Sequence, residues 1–338
     1  MTNRSTIYAV FILIFLLIAG AVIYFVLKTK NITNNTSSTS SPSAEVWVKN
    51  KTVLFENVTS SDTHKLDDGT PASPAGGFRM YFQKDGKVVY ADSKDATTFG
   101  TPISTGIGEV AQGDFPSGKF ISNPAVLKIA DSNWIMVYEE STGPLSQTMS
   151  QQQDPPGPKN QRNLLLATST DGKSFKDAGI AIDSSKDDDF FASVPDLVKT
   201  PDGKIRMYYV CGGTKVCSAA SLDGKTWVKE AGARAEDKAV DPDVLLKGSQ
   251  WVMYFSTLTG DNNRFYKAVS SDGLKWTKES EVLKPDSPNA AIVDPDVVEI
   301  SPGKWRMFFG EMANGEGQMG GQAQINLYWA DFSGDIFK

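Results

Sequence analysis

The sequence predicts an all-β protein: a five-bladed β-propeller over residues 45–338, preceded by an N-terminal transmembrane helix over residues 7–27. Two observations predict this architecture. Three kinds of short segment recur in the same order along the propeller region, and residues 7–27 carry no charged side chain. The recurring segments are aromatic and β-branched and are separated by Gly, Asp and Pro, a pattern typical of strands and turns. Repeats of this kind predict a ring of small antiparallel sheets.

Residues 1–44 are expected to form a membrane anchor and a linker. A helix over residues 7–27 would span a hydrocarbon core of about 30 Å. A cleavable export signal is the alternative, but its apolar stretch would end after about 7–15 residues, and this one continues past Ala19-Gly20-Ala21. We expect residues 1–6 to be a cytoplasmic tail, and residues 28–44, which are rich in Ser, Thr and Asn, to be a flexible linker.

Two further features favour an extracytoplasmic propeller on a single-pass protein of the cell membrane. Cys211 and Cys217, the only two cysteines, flank the residues GGTKV between two predicted strands. This spacing is typical of a cross-strand disulfide, which needs an oxidising compartment, and a pair of buried free thiols is the alternative. Five asparagines begin N-x-[ST] sequons, which function only outside the cytosol, with chance as the alternative. They are Asn31, Asn34, Asn35, Asn50 and Asn57.

The composition excludes two classes of function. The chain has 34 Lys and Arg against 40 Asp and Glu, a net charge of −6, so no nucleic-acid partner is expected. His64 is the only histidine, which excludes a zinc site built from several histidines. We expect the chemistry of the protein to rest on carboxylates and to require no cofactor.

Five repeats can be counted from a segment with methionine in its third position. The copies are FRMYF (78–82), WIMVY (134–138), IRMYY (205–209), WVMYF (251–255) and WRMFF (305–309). A proline segment begins 12 or 13 residues before four of these methionines: NPAVLKI from Asn123, VPDLVKT from Val194, DPDVLLK from Asp241 and DPDVVEI from Asp294. In the first repeat the corresponding place holds Leu66-Asp67-Asp68-Gly69. A third segment follows the methionine: ADSKDATTF from Ala91, ATSTDGKSF from Ala167, AASLDGKTW from Ala219 and AVSSDGLKW from Ala268.

Each repeat is expected to form one blade, with strands A to D running outward from the propeller axis. The proline segment predicts strand A, the methionine segment strand B, the Ala-x-Ser segment strand C and the stretch after it strand D. The last repeat ends soon after its strand C. We therefore expect residues 45–55 to supply the missing strand D, which closes the ring and removes an open sheet edge.

Strand direction divides the connections between two faces of the disc. The start of strand A and the B-to-C connection lie on one face, here called the upper face. The A-to-B and C-to-D turns lie on the other, the lower face. The Ser-x-Asp-Gly turns fall on the lower face, where a structural role is expected because Asp and Ser side chains bind turn backbone. Their aspartates are Asp95, Asp171, Asp223 and Asp272.

The candidate site residues lie on the upper face. Asp241 and Asp294 begin strand A in neighbouring repeats, and Asp67 or Asp68 takes that place in the first repeat by approximate alignment. Because strand A is innermost, these carboxylates are expected to converge near the axis. Two long B-to-C insertions, 141–163 and 310–326, fall on the same face, and long loops on one face of a rigid ring usually build a binding site.

These motifs resemble those of the five-bladed β-propeller glycoside hydrolases, which include family 43 and the related families 32 and 130. The resemblance covers about residues 45–338 and rests on the Asp-Pro strand starts and the Ser-x-Asp-Gly-x-x-Trp turns. It implies a glycoside hydrolase that acts on oligo- or polysaccharides, which, with the expected anchor, would be a membrane-anchored extracellular enzyme. A non-catalytic propeller that binds a glycan or a protein at the cell surface is the alternative.

The resemblance to family 43 also implies three catalytic carboxyls at the strand A starts of successive blades: a general-base Asp, a pKa-modulating Asp and a general-acid Glu. Asp241 and Asp294 match the two aspartates, but the next blade around the ring offers Asp68 instead of a glutamate. In the third repeat the acidic residue, Asp196, comes after the strand A proline instead of before it. No glutamate begins a strand A. Glu311 and Glu140, at the ends of strand B, are therefore the candidates for the acid.

Two other sets of inner-strand residues have alternative roles. The aspartates that follow the prolines are expected either to be structural or to bind a Ca²⁺ on the axis through oxygen ligands; they are Asp196, Asp243 and Asp296. Arginines that recur at one position of strand B are expected to form salt bridges between blades, with binding of an acidic sugar as the alternative. They are Arg79, Arg206 and Arg306.

Overall fold

The computed structural model describes residues 45–338 apart from seven gaps. The gaps are residue 59 and residues 67–76, 109–118, 143–160, 259–262, 288–289 and 313–324. The expected tail, transmembrane helix and linker, residues 1–44, lie outside the described residues. Among the residues that are described, no helix has the length and apolar character needed to cross a membrane.

The described residues contain twenty strands in five four-stranded antiparallel sheets, which confirms the predicted five-bladed propeller. Blade 1 contains β2 (Ser61–Leu66), β3 (Gly77–Lys84), β4 (Lys87–Ser93) and β5 (Ile103–Ser104). Blade 2 contains β6 (Lys119–Ala130), β7 (Asn133–Thr142), β8 (Arg162–Ser169) and β9 (Lys176–Ile182). A short helix, α1 (Ser184–Asp187), leads to blade 3, which contains β10 (Ala192–Lys199), β11 (Ile205–Cys211), β12 (Lys215–Ser221) and β13 (Val228–Ala235). Blade 4 contains β14 (Ala239–Lys247), β15 (Gln250–Thr257), β16 (Arg264–Ser270) and β17 (Thr277–Leu283). Blade 5 contains β18 (Ala291–Ser301), β19 (Lys304–Met312), β20 (Ile325–Ser333) and β1 (Val48–Phe55).

The hydrophobic core lies between neighbouring blades. Five clusters of buried side chains each combine residues of two adjacent blades. The recurring strand B methionines are all 0% exposed, since both faces of strand B are covered by a neighbouring blade. They are Met80, Met136, Met207, Met253 and Met307.

The N-terminal segment closes the ring, as predicted. β1 pairs antiparallel with β20, the strand C of blade 5, and Val48 lies opposite Asp331. Trp47, just before β1, is 5% exposed and packs edge-on against Tyr254 of blade 4, with ring centroids 5.8 Å apart. The Glu45 carboxylate accepts hydrogen bonds from Trp47 Nε1 (2.7 Å) and Lys267 Nζ (3.0 Å). Residues 45–55 are therefore bonded both to the last blade and to the one before it.

The Ser-x-Asp-Gly turns on the lower face are structural, as predicted. In the turn of blade 3, the Ser221 hydroxyl accepts the Gly224 N–H (2.9 Å), and Asp223 Oδ1 accepts the N–H groups of Lys225 and Thr226 (both 2.8 Å). These backbone hydrogen bonds lower the pKa of Asp223 to about 2. The same contacts recur in the other three turns.

The recurring arginines join blades through these turns. Arg306 forms a two-pronged ion pair with Asp331 of its own blade (2.7 and 2.9 Å) and donates to the Ala96 carbonyl of blade 1 (2.8 Å). Arg79 likewise pairs with Asp92 of its own blade and donates to the Gly172 carbonyl of blade 2. Arg206 pairs with Glu230 of its own blade and donates to the Asp272 carbonyl of blade 4. The ion pairs thus lie within a blade, contrary to the prediction, and the contact between blades is a hydrogen bond to a turn carbonyl.

The predicted disulfide is present. Cys211 on β11 and Cys217 on β12 are bonded, with their Cα atoms 5.8 Å apart. Cys217 lies opposite Tyr209 and Cys211 opposite Lys215, so the bond crosses the hairpin diagonally. It fixes the upper end of the blade 3 hairpin.

Candidate functional site

A β-bulge at the start of strand A shapes the axial pocket. In four blades the residue before the strand A proline has a positive φ, between 45° and 54°, and the pairing with strand B shifts register there. Proline disfavours a right-handed helical conformation in the residue before it and donates no ladder hydrogen bond, which suits both residues to a bulge. The residues at this position are Asn123, Val194, Asp241 and Asp294.

The bulges give the axial site two layers. The upper layer contains the residues before the prolines, together with Ser60 in blade 1. The lower layer contains the residues paired with strand B just beyond the bulge, and its members are Asp62, Ala125, Asp196, Asp243 and Asp296. Residues of both layers line one pocket on the propeller axis; Asp294 is among its lining residues and Asp241 is not.

Blade 1 differs from the sequence alignment. Its strand A is Ser61–Leu66, with Thr63 opposite Met80, so Asp62 occupies the lower-layer position and Ser60 the upper one. Asp67 and Asp68 come after the last residue of this strand and lie outside the described residues. The alignment failed because blade 1 has no proline at its strand A start. The spacing to the methionine was misleading as well, because Asp62 lies 18 residues before Met80, whereas the lower-layer residues of the other blades lie 10 or 11 residues before their methionine.

The lower-layer aspartates hold neighbouring blades together. Asp196 Oδ2 accepts the Val244 N–H of the next strand A (2.9 Å), and Asp62 Oδ2 accepts the Val126 N–H in the same way. Asp296 accepts the Thr63 N–H (3.1 Å) and the hydroxyl groups of Ser61 and Thr63. These contacts favour the structural alternative for the residues after the prolines, including the site candidate Asp196. The Ca²⁺ on the axis stays a prediction: in the described part of the ring, no three axial carboxylate or histidine ligand atoms lie within 4.8 Å of one another.

Asp241 and Asp294, the two predicted strand A carboxylates, are neighbours in the upper layer. The Asp294 N–H donates to Asp241 Oδ2 at 3.4 Å. Burial raises the pKa of Asp241 to about 6, and the hydrogen bond from the Asp294 N–H acts in the opposite direction. Burial, followed by the charges of Asp241 and Glu139, raises the pKa of Asp294 well above its usual range. Among the described residues, the Asp294 carboxyl has no hydrogen-bond partner. Burial therefore favours the protonated form of both carboxyls, and among the described contacts only Asp241 accepts a hydrogen bond that opposes this effect.

A third buried carboxylate lies on the blade 2 side of the site. Glu139, near the end of β7, is 1% exposed. Its Oε1 accepts from Arg162 (2.8 Å), and its Oε2 accepts from Asn123 Nδ2 (2.9 Å) and from the Ser193 hydroxyl. Asn123 Oδ1 in turn accepts the Ser60 hydroxyl (2.8 Å). Glu139 directly precedes the predicted candidate Glu140, and nothing in the sequence distinguished the two glutamates.

The two predicted acid candidates lie away from this carboxylate group. Glu140 follows Glu139 on β7, and successive side chains of a strand point to opposite sides, so Glu140 shares the side of Tyr138. Glu311, on β19, pairs with Lys49 of the outermost strand, Oε2 to Nζ 3.4 Å. The structure therefore brings together Asp241, Asp294 and Glu139. Neither Glu140 nor Glu311 lies beside the Asp241 and Asp294 pair. Most of the insertions 141–163 and 310–326 lies outside the described residues.

The buried aspartates predict a stability that falls as the pH rises. Burial, with the nearby charge of Asp62, raises the pKa of Asp196 to about 7 and that of Asp296 to about 6. Because a carboxyl with a raised pKa binds its proton more tightly in the folded state, its contribution is complete below about pH 4 and is lost as the pH rises through about 6–7. We expect a melting temperature lower at pH 8 than at pH 5 by about 5 °C or more.

Differential scanning calorimetry over pH 5–8 would measure this dependence. Asp196→Asn retains an oxygen for the Val244 N–H and removes the titration, so it should flatten the profile. A wild-type melting temperature that stays constant or increases from pH 5 to pH 8 would contradict the expectation. Below about pH 4 the turn aspartates with lowered pKa, such as Asp223, become protonated and should reverse the trend.

Comparisons with known proteins identify the fold but no family by sequence. No family model and no curated protein matches the chain. A GH43 protein from Bacillus licheniformis is similar, with a TM-score of 0.59 at 14% identity over 83% of this chain and 54% of that one. An endo-arabinase from Bacteroides thetaiotaomicron has a TM-score of 0.54 at 14% identity over 85% and 99% of the two chains. A family 117 glycoside hydrolase from Zobellia galactanivorans has a TM-score of 0.57 at 13% identity over 86% and 88%. The chain thus has the five-bladed propeller fold of glycoside hydrolases in families 43 and 117; the motif resemblance had predicted the fold of family 43.

Proposed function

We propose that this protein is a glycoside hydrolase that acts on an oligo- or polysaccharide at the upper face, with Asp241 and Asp294 as its acid and base pair. The observation that supports the proposal is the meeting of these two carboxyls in neighbouring strand A bulges, in surroundings that favour different protonation states. Two carboxyls whose environments separate their pKa values are what glycosidic hydrolysis requires. The structural neighbours with carbohydrate-active names are consistent with a glycan substrate.

The surroundings of the two carboxyls suggest their roles. Asp294, whose ionised form no described residue stabilises by hydrogen bonding, donates its proton to the glycosidic oxygen as the bond to the anomeric carbon breaks. Asp241, which accepts the Asp294 N–H, remains ionised. It either removes a proton from the water that attacks the anomeric carbon or attacks that carbon itself. Carboxyls about 6.5–9.5 Å apart invert the anomeric configuration and carboxyls about 5–5.5 Å apart retain it.

A screen of the full-length protein in detergent tests the proposal. Aryl glycosides and plant and microbial polysaccharides would be incubated with it, and released sugars would be measured. Proton NMR of the first product would then give the anomeric configuration. Turnover supports the proposal. Saturable binding of a glycan without turnover would instead favour the non-catalytic binding propeller.

We also propose that residues 7–27 anchor the protein in the cell membrane with the propeller outside the cytoplasm. Residues 7–27 carry no charged side chain over a length that can span a membrane. The Cys211–Cys217 disulfide is consistent with an oxidising compartment outside the cytoplasm. Protease treatment of intact cells tests the orientation: a propeller that is digested supports it, and one that is protected until lysis contradicts it.

A further inference from the structure

Two of the five N-x-[ST] sequons, those of Asn50 and Asn57, begin within the described residues, and neither belongs to the axial site. The sequons of Asn31, Asn34 and Asn35 lie outside the described part of the chain. A sequon of a folded protein can be modified only where its asparagine amide and its hydroxyl residue can both be reached from solvent. The two described sequons differ in this respect.

Asn50 lies on the outermost strand of blade 5, with its side chain on an exposed side. β1 has a hydrogen-bonded neighbour, β20, on one side only. Val48, which is 67% exposed, shares the side of Asn50, because alternate residues of a strand point the same way. The other two residues of the sequon, Lys51 and Thr52, are also exposed. The amide and the hydroxyl residue of this sequon can therefore both be reached.

The Asn50 sequon also leaves the regular ladder of the sheet. Between Asn50 and Phe55 the pairing with β20 shifts register, and β1 advances five residues against two of β20. The surplus residues of such a bulge are left unpaired. Asn50 Oδ1 accepts the Thr52 N–H (2.9 Å), which brings the hydroxyl residue close to the amide. In the part of the chain that the structure describes, Asn50 Nδ2, the atom that would carry a glycan, donates to no other residue.

The Asn57 sequon is held by the hydrophobic core instead. The Asn57 backbone has a φ of 57°, and its N–H donates to Asn326 Oδ1 (3.2 Å). The middle residue of the sequon, Val58, is 0% exposed and belongs to the cluster between blades 5 and 1. This sequon could enter a transferase only if the core contacts of Val58 were broken.

We propose that Asn50, rather than Asn57, is a site of N-glycosylation, modified by an oligosaccharyltransferase that uses an oligosaccharide activated on a lipid phosphate. The Asn50 amide nitrogen bonds to the anomeric carbon of the first sugar as the bond from that carbon to the phosphate oxygen breaks. The lipid phosphate leaves with the electron pair of that bond, and the amide gives one proton to a base of the transferase. Like the proposed anchor, this inference requires the propeller to lie outside the cytoplasm.

A glycan on Asn50 would cover the open edge of blade 5. Three valines flank Asn50 on or beside β1 and are 64%, 67% and 37% exposed: Val46, Val48 and Val53. An exposed apolar edge strand can pair with the edge of another chain, and natural proteins usually block such edges. A bulky and solubilising glycan beside these valines would hinder that pairing.

Mass spectrometry of the full-length protein, purified from the cells that naturally make it, tests the inference. Chymotrypsin leaves residues 48–55 on one peptide, whereas trypsin cuts the sequon at Lys51. We expect a sugar mass on Asn50 in most copies of this peptide. Asn50→Gln and Thr52→Ala should each remove that mass, whereas Thr52→Ser keeps the sequon and should retain it. Because these residues are exposed, the variants should fold like the unchanged protein.

Asn57→Asp is the matched control, because it removes a sequon amide while keeping a residue that tolerates the left-handed backbone. It should leave the sugar content of the protein unchanged. An unmodified Asn50 overturns the inference, and so does a sugar on Asn57 or a sugar mass that persists in Thr52→Ala. If protease digests the propeller on intact cells while Asn50 is unmodified, the proposed orientation stands and this inference alone fails. Glycan hydrolysis should be the same in Asn50→Gln, so its measurement tests the proposed function separately.

Discussion

A protein truncated to begin at Ser60 should melt more than about 10 °C below the full-length chain, or aggregate. The truncation removes β1, the strand D of blade 5, and exposes the edge of β20. It also removes Trp47, which is 5% exposed, and truncating a buried aromatic side chain alone costs about 3–5 kcal/mol. For a domain of this size each kcal/mol lowers the melting temperature by about 2–4 °C. Thermal unfolding followed by circular dichroism measures the difference.

A protein that begins at Glu45 is the control for this truncation. It lacks the expected anchor and linker but retains the contacts of Glu45 with Trp47, Tyr254 and Lys267. Its melting temperature should therefore equal that of the propeller in the full-length chain. The melting temperature of the Trp47→Ala variant should lie between those of the proteins that begin at Glu45 and at Ser60. If the protein that begins at Ser60 melts like the one that begins at Glu45, the N-terminal strand does not close the ring.

Asp294→Asn should reduce the rate of glycan hydrolysis by about 10²–10⁴-fold while the fold stays intact. Asparagine has nearly the same size, but it cannot donate a proton to the leaving oxygen. Asp241→Asn should cause a loss of similar size, since the amide neither activates water nor attacks the anomeric carbon. Initial rates on the substrate found in the screen, together with melting temperatures, separate a catalytic role from a structural one.

The matched control is Asp223→Asn, on the lower face. Among the residues that the structure describes, Asp223 binds only turn backbone and Ser221, so this change should alter the melting temperature without altering the rate. Glycan binding that survives in Asp294→Asn would agree with a catalytic role. Full activity in both upper-face variants would place the chemistry elsewhere and favour the binding propeller with a surface still to be mapped.

Features encoded within a single repeat could be predicted from the sequence. The Ser-x-Asp-Gly turns and the Cys211–Cys217 bond depend on residues a few positions apart, and the order of the three segments was enough to define the blades. Ring closure followed from counting, because the last repeat ended after strand C. The alignment of Asp68 failed where the local signal was missing, since strand A of blade 1 has neither the proline nor the bulge of the other four blades.

The choice between Glu139 and Glu140 shows what only the tertiary structure decided. They are neighbours on β7, so one faces blade 3 and the other faces blade 1. Both faces of β7 are apolar: Ile135 and Val137 pack against blade 3, whereas Met136 and Tyr138 pack against blade 1. An alternating pattern of polar and apolar residues identifies the inner face of a strand only when the other face is exposed. The sequence by itself determined the ring of blades, its closure and the strand A positions of Asp241 and Asp294. The packing of one blade on the next decided which glutamate joins them, because that choice depends on contacts between residues 54 positions apart, Glu139 and Ser193.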